Sequence, residues 1–366
     1  MGGVMWRKPV GVAILGAAHT GHAWAYSRAL TESPNAHVVG LYDPEPEHTR
    51  WIRQDFGVPL IDDAEALLTS PEVDAVLVCG ANDEHRAHVE LAAVHGRHVL
   101  CEKPIATTAE DAEAMVAACA AAGVQLHMAF VSRFLPLVER ARTAVRDGRL
   151  GDLIGLVGAN RGRPPLPPAY PRWITDPVSA GGGALIDHSV HVTDVMRHVS
   201  GLEVAEVSAE AGALLWNLDV DDVAVVSLRW ENGAVGSIDP SWSVPADHPW
   251  DYDFSLRLVG TEGSLEITDG AEALSVVSTR EGGPRGLRRA SFAEDADRAM
   301  IEAFLASVRA GVAGDPCATG EDGVRALEVA LAAYRSSDLG QVVELRKPAG
   351  RAEVRGDTGE GRNAPA

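Results

Sequence analysis

Four short runs of almost uninterrupted apolar, β-rich residues constrain the fold of this chain most. They occupy 10–15 (VGVAIL), 38–42 (VVGLY), 75–79 (AVLVC) and 98–101 (HVLC). A strand wetted on one face alternates apolar and polar residues, whereas one covered on both faces is apolar throughout. Between and after these runs, 20–32, 46–56, 84–95 and 108–122 carry helical spacing. Thr107, Thr108, Glu110 and Asp111 suit the start of the last helix, and Gly123 suits its end. This alternation predicts an α/β domain with a doubly wound parallel sheet over residues 8–130.

The pattern then changes. Helical spacing at 134–147 stops at Gly148, a Pro-rich loop covers 163–171, and a second helix pattern covers 183–199. Extended runs follow at 203–216, 222–231, 234–239, 252–259 and 263–268, with turn signals at Glu231-Asn232-Gly233 and at 261–263. Strands joined by tight turns imply an α+β domain over 131–346, built on a large, mostly antiparallel open sheet. Helices near 295–310 and 321–336 and a last strand at 342–345 close this second domain. Residues 347–366 hold almost no apolar mass and read as a disordered tail.

A formal charge of −20 repels nucleic-acid backbones and anionic lipid, so neither nucleic acid nor membrane is expected as a partner. No apolar stretch approaches the roughly 20 residues of a spanning helix. The start, MGGVMWRKPV, lacks the apolar core of a signal peptide, and a cytoplasmic location is expected. Cys79, Cys101, Cys119 and Cys317 stand far apart without CxxC spacing and read as reduced thiols.

The first apolar run leads straight into Gly16-Ala17-Ala18-His19-Thr20-Gly21 and then a helix pattern. This matches a dinucleotide fingerprint at its first and third glycines, with Ala18 at the second. Amides at that helix start would hold a pyrophosphate, and Ala18 adds a methyl group where the phosphate approaches. Asp43 ends the second run, where an acid takes the adenosine ribose hydroxyls. Glu45 and Glu47 follow, with no Arg or Lys before Arg50, so a 2′-phosphate would meet carboxylates. NAD is therefore expected rather than NADP. Any tight strand-to-helix turn is the plainer alternative.

Glu102-Lys103-Pro104 follows the run at 98–101. Strand C-termini line the ligand crevice of a parallel sheet, so Lys103 would face the cofactor's reactive end, with Glu102 beside it. Pro104 denies Lys103 the helical conformation. A second constellation runs from Gly181-Gly182-Gly183 through Asp187, His188, His191 and Asp194. Asp187 and His191 are four apart and share a helix face, with Asp194 within reach of the same imidazole. A carboxylate beside a histidine raises and orients it as a general base near neutral pH. The glycines would let the chain pass close to another backbone or a ligand. The same residues also read as a structural Asp–His pair. A metal site at Asp187, His188, His191 and His198 is the remaining alternative, and without HExxH or cysteine partners no metal is expected.

Together these features resemble the Gfo/Idh/MocA family, which includes glucose–fructose oxidoreductase and inositol dehydrogenase. The likeness rests on Gly96 through Ala106 around the lysine, Arg133-Phe134-Leu135-Pro136, Trp173 through Asp194, and Thr319 through Gly323. Ala18, Ala81 and Ser189 depart from the family pattern. The resemblance implies an NAD-dependent dehydrogenase or reductase for a sugar or polyol CH–OH group. It implies that Lys103 bonds the reacting oxygen and the nicotinamide ribose, that His191 takes or returns the hydroxyl proton, and that Asp187 orients the substrate. Beside the oxidised nicotinamide, the Lys103 pKa should be lowered. Asn82 and His85 would touch the cofactor, and Arg133, Asn160, Arg163, Trp173 and His188 would wall the substrate. A homodimer or homotetramer through the second sheet is implied as well. The aromatic stretch 242–254 would cover either the site or a subunit interface, the interface being favoured. Two other activities on this fold stay open, an NAD-dependent glycosidase and a non-catalytic NAD- and sugar-sensing regulator.

Overall fold

The structure is a computed structural model that describes residues 8–245, 247–248, 252–268, 273–278, 286–291 and 295–346. Strands β1 (Val10–Leu15), β2 (Ala36–Tyr42), β3 (Ala75–Val78), β4 (His98–Cys101) and β5 (Leu126–Met128) form a parallel sheet in the order β5-β4-β3-β1-β2. Central β1 sets Val12 between Val38 and Ala75. Every residue of β1 and β3 is buried, as their unbroken apolar composition demands. Helices α1 (Thr20–Glu32), α2 (Arg50–Phe56), α3 (Ala64–Leu68), α4 (His85–Val94) and α5 (Ala109–Ala122) cover the sheet. The Thr108 hydroxyl accepts from the Asp111 amide at 3.1 Å and starts α5. Gly123 ends it with φ of +68°, a conformation costing an L-residue roughly 1–2 kcal/mol.

The second half contains α6 (Pro136–Arg146), β6 (Leu153–Gly162), α7 (Ala184–Ser200), β7 (Val204–Gly212), β8 (Val223–Trp230), β9 (Val235–Asp239), β10 (Tyr252–Gly260) and β11 (Ser264–Thr268). After a two-stranded pair, β12 (Ala273–Ser278) and β13 (Gly286–Ser291), come α8 (Ala296–Ala310), β14 (Ala318–Thr319), α9 (Gly320–Leu339) and β15 (Val343–Glu344). The large sheet has the order β11-β10-β6-β9-β8-β7-β15. Its neighbours are antiparallel except β6 and β9, which run parallel. Both expected hairpins are present, β8–β9 and β10–β11.

Strand β6 is absent from the sequence reading although it lies inside the large sheet. Gly155, Gly158 and Gly162 dilute its strand propensity. A β-carbon at Gly158 would stand 2.5 Å from Val192 Cγ1, so the glycine exists to let α7 lie directly on the strand.

The late helices also differ from expectation. Both were expected to close the second domain, but α8 packs on α1 and β1. Its Met300, Ile301, Phe304 and Leu305 share a core with Val12, Ile14, Leu30 and Leu77. Strand β14 extends the first sheet antiparallel to β5, and α9 spans both halves by touching α5, α7 and β7. The four cysteines are free, and no helix among the described residues is long and apolar enough to cross a membrane. The tail, 347–366, lies outside the described residues.

Candidate active site

β1 leads into Gly16, whose φ of +77° and position against Gly80 both require glycine; a β-carbon would stand 2.6 Å from Gly80 Cα. Gly21 is exposed, with no atom within 4 Å of where a β-carbon would be, so the first turn of α1 is open to a pyrophosphate. Ala18 is buried. Its carbonyl accepts the Trp173 indole N–H at 2.9 Å. The Asp43 carboxylate accepts from the Ala17 amide (2.6 Å), the Glu45 amide (2.7 Å) and His48 Nδ1 (3.1 Å). That hydrogen bond raises the His48 imidazole above its usual value. The bonds on Asp43 engage both oxygens of a side chain that is almost fully buried.

Lys103 stands where β4 gives way to loop. Its Nζ donates to Asp187 Oδ1 at 2.6 Å and to the Asp187 carbonyl at 3.2 Å. Glu102 turns inward, accepting the Lys103 amide and meeting His22 Nδ1 and the Tyr26 hydroxyl. Burial alone would lower Lys103 and raise both carboxyls. Opposite charges outweigh it in each case. Asp187 and Glu102 hold Lys103 above its ordinary value, so the protein's own groups oppose the lowering expected beside a nicotinamide. Lys103 and His188 hold Asp187 far below the carboxylate range, and His22 with Lys103 does the same to Glu102. His19 stacks on His22 with centroids 3.9 Å apart. Burial and His22 push His19 down to about 3.

Three glycines seat α7, each against a different neighbour. A β-carbon at Gly181 would meet Thr107 at 2.8 Å, at Gly182 the Tyr334 hydroxyl at 2.1 Å, and at Gly183 the Asp221 carbonyl at 1.9 Å. The helix start is thus wedged between the loop after Lys103, α9 and the entry to β8. One turn on, Asp187 Oδ2 receives the Trp242 indole N–H at 3.2 Å and lies 3.3 Å from His188 Nε2.

The pairing expected for His191 does not form. Asp187 is engaged with Lys103, while Asp194 takes a bidentate Arg133 guanidinium at 2.8 and 2.6 Å. His191 packs edge-on to Phe130, and burial together with Lys103 holds it well below its ordinary pKa. Both effects favour the neutral imidazole.

A cavity of about 220 Å³ between the two halves is lined by His19, His22, Lys103, Asn160, Arg163, Asp187, His188, His191 and Tyr252, among others. Trp173 and Asn82 border a smaller space beside it with Lys103 and Asp187. Three expected positions lie elsewhere or are already committed. Arg133 is buried in its pairs with Asp194 and Asp322 and is no part of the cavity lining. His85 is fully buried with Nδ1 on the Pro104 carbonyl, supporting the lysine turn from behind. Asn82 donates to the Ala180 carbonyl and so joins the halves. Among the described residues no three His, Cys, Asp or Glu side chains gather as metal ligands.

Two family descriptions match. The oxidoreductase family GFO/IDH/MocA, NAD-binding Rossmann fold, covers residues 10–130, and the GFO/IDH/MocA C-terminal domain covers 138–266. Myo-inositol 2-dehydrogenase of Thermotoga maritima is 30% identical over 353 residues, 93% of this chain and 99% of the relative. The chain belongs to the Gfo/Idh/MocA oxidoreductase family. D-apiose dehydrogenase of Paraburkholderia graminis is also 30% identical, over 89% of this chain and 86% of its own. GenD2 of gentamicin A biosynthesis, solved with NAD, shares the fold at a TM-score of 0.83 and 24% identity, over 95% of this chain and 99% of its own. The first domain of this Gfo/Idh/MocA chain is accordingly an NAD-binding Rossmann domain, and its open α1 terminus fits that group.

Sequence reasoning missed Trp242, Asp221, Tyr334 and His22. Trp242 falls in the stretch expected to cover the site or, by preference, a subunit interface; it is fully buried against Asp187, on the site side of that choice. The residues at 246 and 249–251 of that stretch lie outside the described residues. For Asp221 the run Asp219-Val220-Asp221-Asp222 was a usable signal, since adjacent acids at a strand start need donors. Tyr334 gave none.

Proposed function

We propose that this chain moves a hydride between NAD and a secondary hydroxyl, or the matching ketone, of one monosaccharide-sized sugar or cyclic polyol. The observation that carries this reading is the convergence of a charged Lys103–Asp187 pair and a neutral His191 on one cavity. NAD, when bound, supplies the hydride acceptor or donor. In oxidation, His191 takes the hydroxyl proton, which a neutral imidazole can do and an imidazolium cannot. The Lys103 ammonium donates to the substrate oxygen and stabilises negative charge as it develops there. Asp187 keeps Lys103 charged and accepts from a neighbouring substrate hydroxyl. In reduction the same groups return the proton.

The cavity of about 220 Å³ holds many waters' worth of space and so has room for one polyol ring. Asn160, Arg163 and His188 form the substrate wall in this reading, and Trp173 closes over the fingerprint. Relatives bearing the names myo-inositol 2-dehydrogenase and D-apiose dehydrogenase support a polyol or sugar substrate. Asp43 takes the adenosine ribose, with Glu45 and Glu84 close enough to repel a 2′-phosphate. The exposed face of the large sheet carries Ile154, Val157, Val225 and Val235, which fits a second copy of the chain. Titration with NAD⁺ and NADP⁺, then NADH absorbance across inositols and aldoses, tests the reading. Tight NAD binding without turnover on any of them contradicts it.

A further inference from the structure

Asp187 is placed in two ways, through the start of the helix that carries it and through its own carboxylate. Both supports run back to one dipeptide, Asp221-Asp222, at the entry to β8. Asp221 serves the backbone. Its Oδ1 accepts from the Gly183 amide (2.9 Å) and the Tyr334 hydroxyl (2.6 Å), and its Oδ2 accepts from the Leu185 amide (2.7 Å). The Asp221 carbonyl takes the Ala184 amide at 2.9 Å. α7 has no cap of its own, because its N-cap residue is Gly183. A helix capped by its own side chain is stabilised wherever it lies. One capped from another segment is also fixed in place along its axis.

Asp222 serves the carboxylate. Its carbonyl accepts the Trp242 amide at 2.8 Å. Its side chain, fully buried, gathers the amides of Leu214, Leu215 and Trp216 at 2.7, 3.0 and 2.7 Å. The Trp216 indole in turn donates to the Trp242 carbonyl at 2.7 Å. Trp242 is therefore gripped at both backbone groups while its indole N–H reaches Asp187 Oδ2.

We infer that Asp221-Asp222 is the positioning element of the reacting constellation, placing α7 through Asp221 and turning the Asp187 carboxylate toward Lys103 through Trp242. The inference rests on Asp187 belonging to that constellation. The lysine contact of 2.6 Å tolerates little slippage, and one residue of helix advances about 1.5 Å. Misplacement by about 1 Å can cost roughly a hundredfold in rate.

Three substitutions, Asp221→Asn, Tyr334→Phe and Trp242→Phe, are made in the wild-type chain and again beside Asp187→Asn. With myo-inositol and NAD⁺ as the probe, Asp221→Asn lowers kcat about 10-fold or more in the wild-type chain. Tyr334→Phe is the milder change and keeps the test available should Asp221→Asn not fold. In the Asp187→Asn chain Trp242→Phe costs less than about twofold, because the carboxylate it turns is gone, whereas Asp221→Asn and Tyr334→Phe lose only part of their penalty, since His191 rides on the same helix. Equal penalties in both backgrounds mean a structural role only and overturn the inference.

A second readout needs no turnover. Competitive acetylation with acetic anhydride, read by mass spectrometry, follows the reactivity of Lys103 against pH. The charges facing Lys103 are Asp187 and Glu102, and only the first is displaced. Asp221→Asn then shifts Lys103 to reactivity at lower pH, as Asp187→Asn does. Unchanged Lys103 reactivity overturns the inference whatever the substrate. A shifted lysine in a chain that turns over no polyol upholds it and counts against the proposed reaction instead.

Discussion

Lys103 Nζ and Asp187 Oδ1 meet at 2.6 Å across the boundary between the Rossmann sheet and the second domain. Burial opposes the charge on each, and the other's opposite charge is the largest contribution that offsets it, helped by Glu102 on the lysine and His188 on the carboxylate. The pair joins the end of β4 to the first turn of α7, so the reacting groups exist only when the two halves are assembled.

Replacing Lys103 by Met removes the donor to the substrate oxygen and leaves Asp187 without its cation. The kcat/KM for polyol oxidation should fall about 10³-fold, equivalent to about 4 kcal/mol. Thermal melting should fall with it, because a partly buried carboxylate is left unpaired. Steady-state NADH formation and calorimetry on the variant check both.

Stability should drop as solutions are acidified below neutrality. Burial depresses His19 to about 3 and His88, His127 and His198 to about 4, against an ordinary 6.5. The unfolded chain takes up these protons first, so stability present above pH 6.5 is lost as pH falls from there toward 4. Melting temperatures across that window report it, and a flat profile contradicts these neutral histidines.

Arg133 should behave as a core ion rather than as a substrate contact. Arg133→Met strands Asp194, which has no exposed surface, and should destabilise the protein by about 3–5 kcal/mol. KM for the polyol should change less than about twofold in the fraction that remains folded. Urea unfolding and kinetics on the same preparation separate the two effects.

The β1–β4 scaffold, the fingerprint and the lysine turn were legible in the sequence because each is a local pattern. Unbroken apolar runs report burial on both faces, and Gly16 reports a left-handed turn. The spacing of Asp187 and His191 put both on the cavity face of α7. Their electrostatics were not legible. Asp194 stands three residues from His191, and proximity in sequence favoured that pairing. The choice of Arg133, 61 residues away, depends on a bidentate fit visible only after folding. Strand β6 was hidden for a related reason, since its glycines record the approach of α7 rather than strand propensity. Tyr334 reaches the start of α7 from 151 residues away, and no local pattern marks it.

Trp173 should retain the cofactor. Its indole ties the second domain to the Ala18 carbonyl in the fingerprint. Trp173→Phe removes one hydrogen bond, worth about 1 kcal/mol, and should weaken NAD binding about fivefold. Calorimetric titration with NAD⁺ measures it, and an unchanged affinity removes Trp173 from the cofactor site.

The most direct test of the central claim is NADH formation by wild type and His191→Ala over a pH series, with the polyol that the wild type oxidises. Neutral His191 as the base predicts wild-type activity that holds well below pH 6.5 before declining, and a loss of about 10²–10⁴-fold in the variant. Turnover in His191→Ala within a few-fold of wild type, with the same pH profile, would show that another group takes the proton.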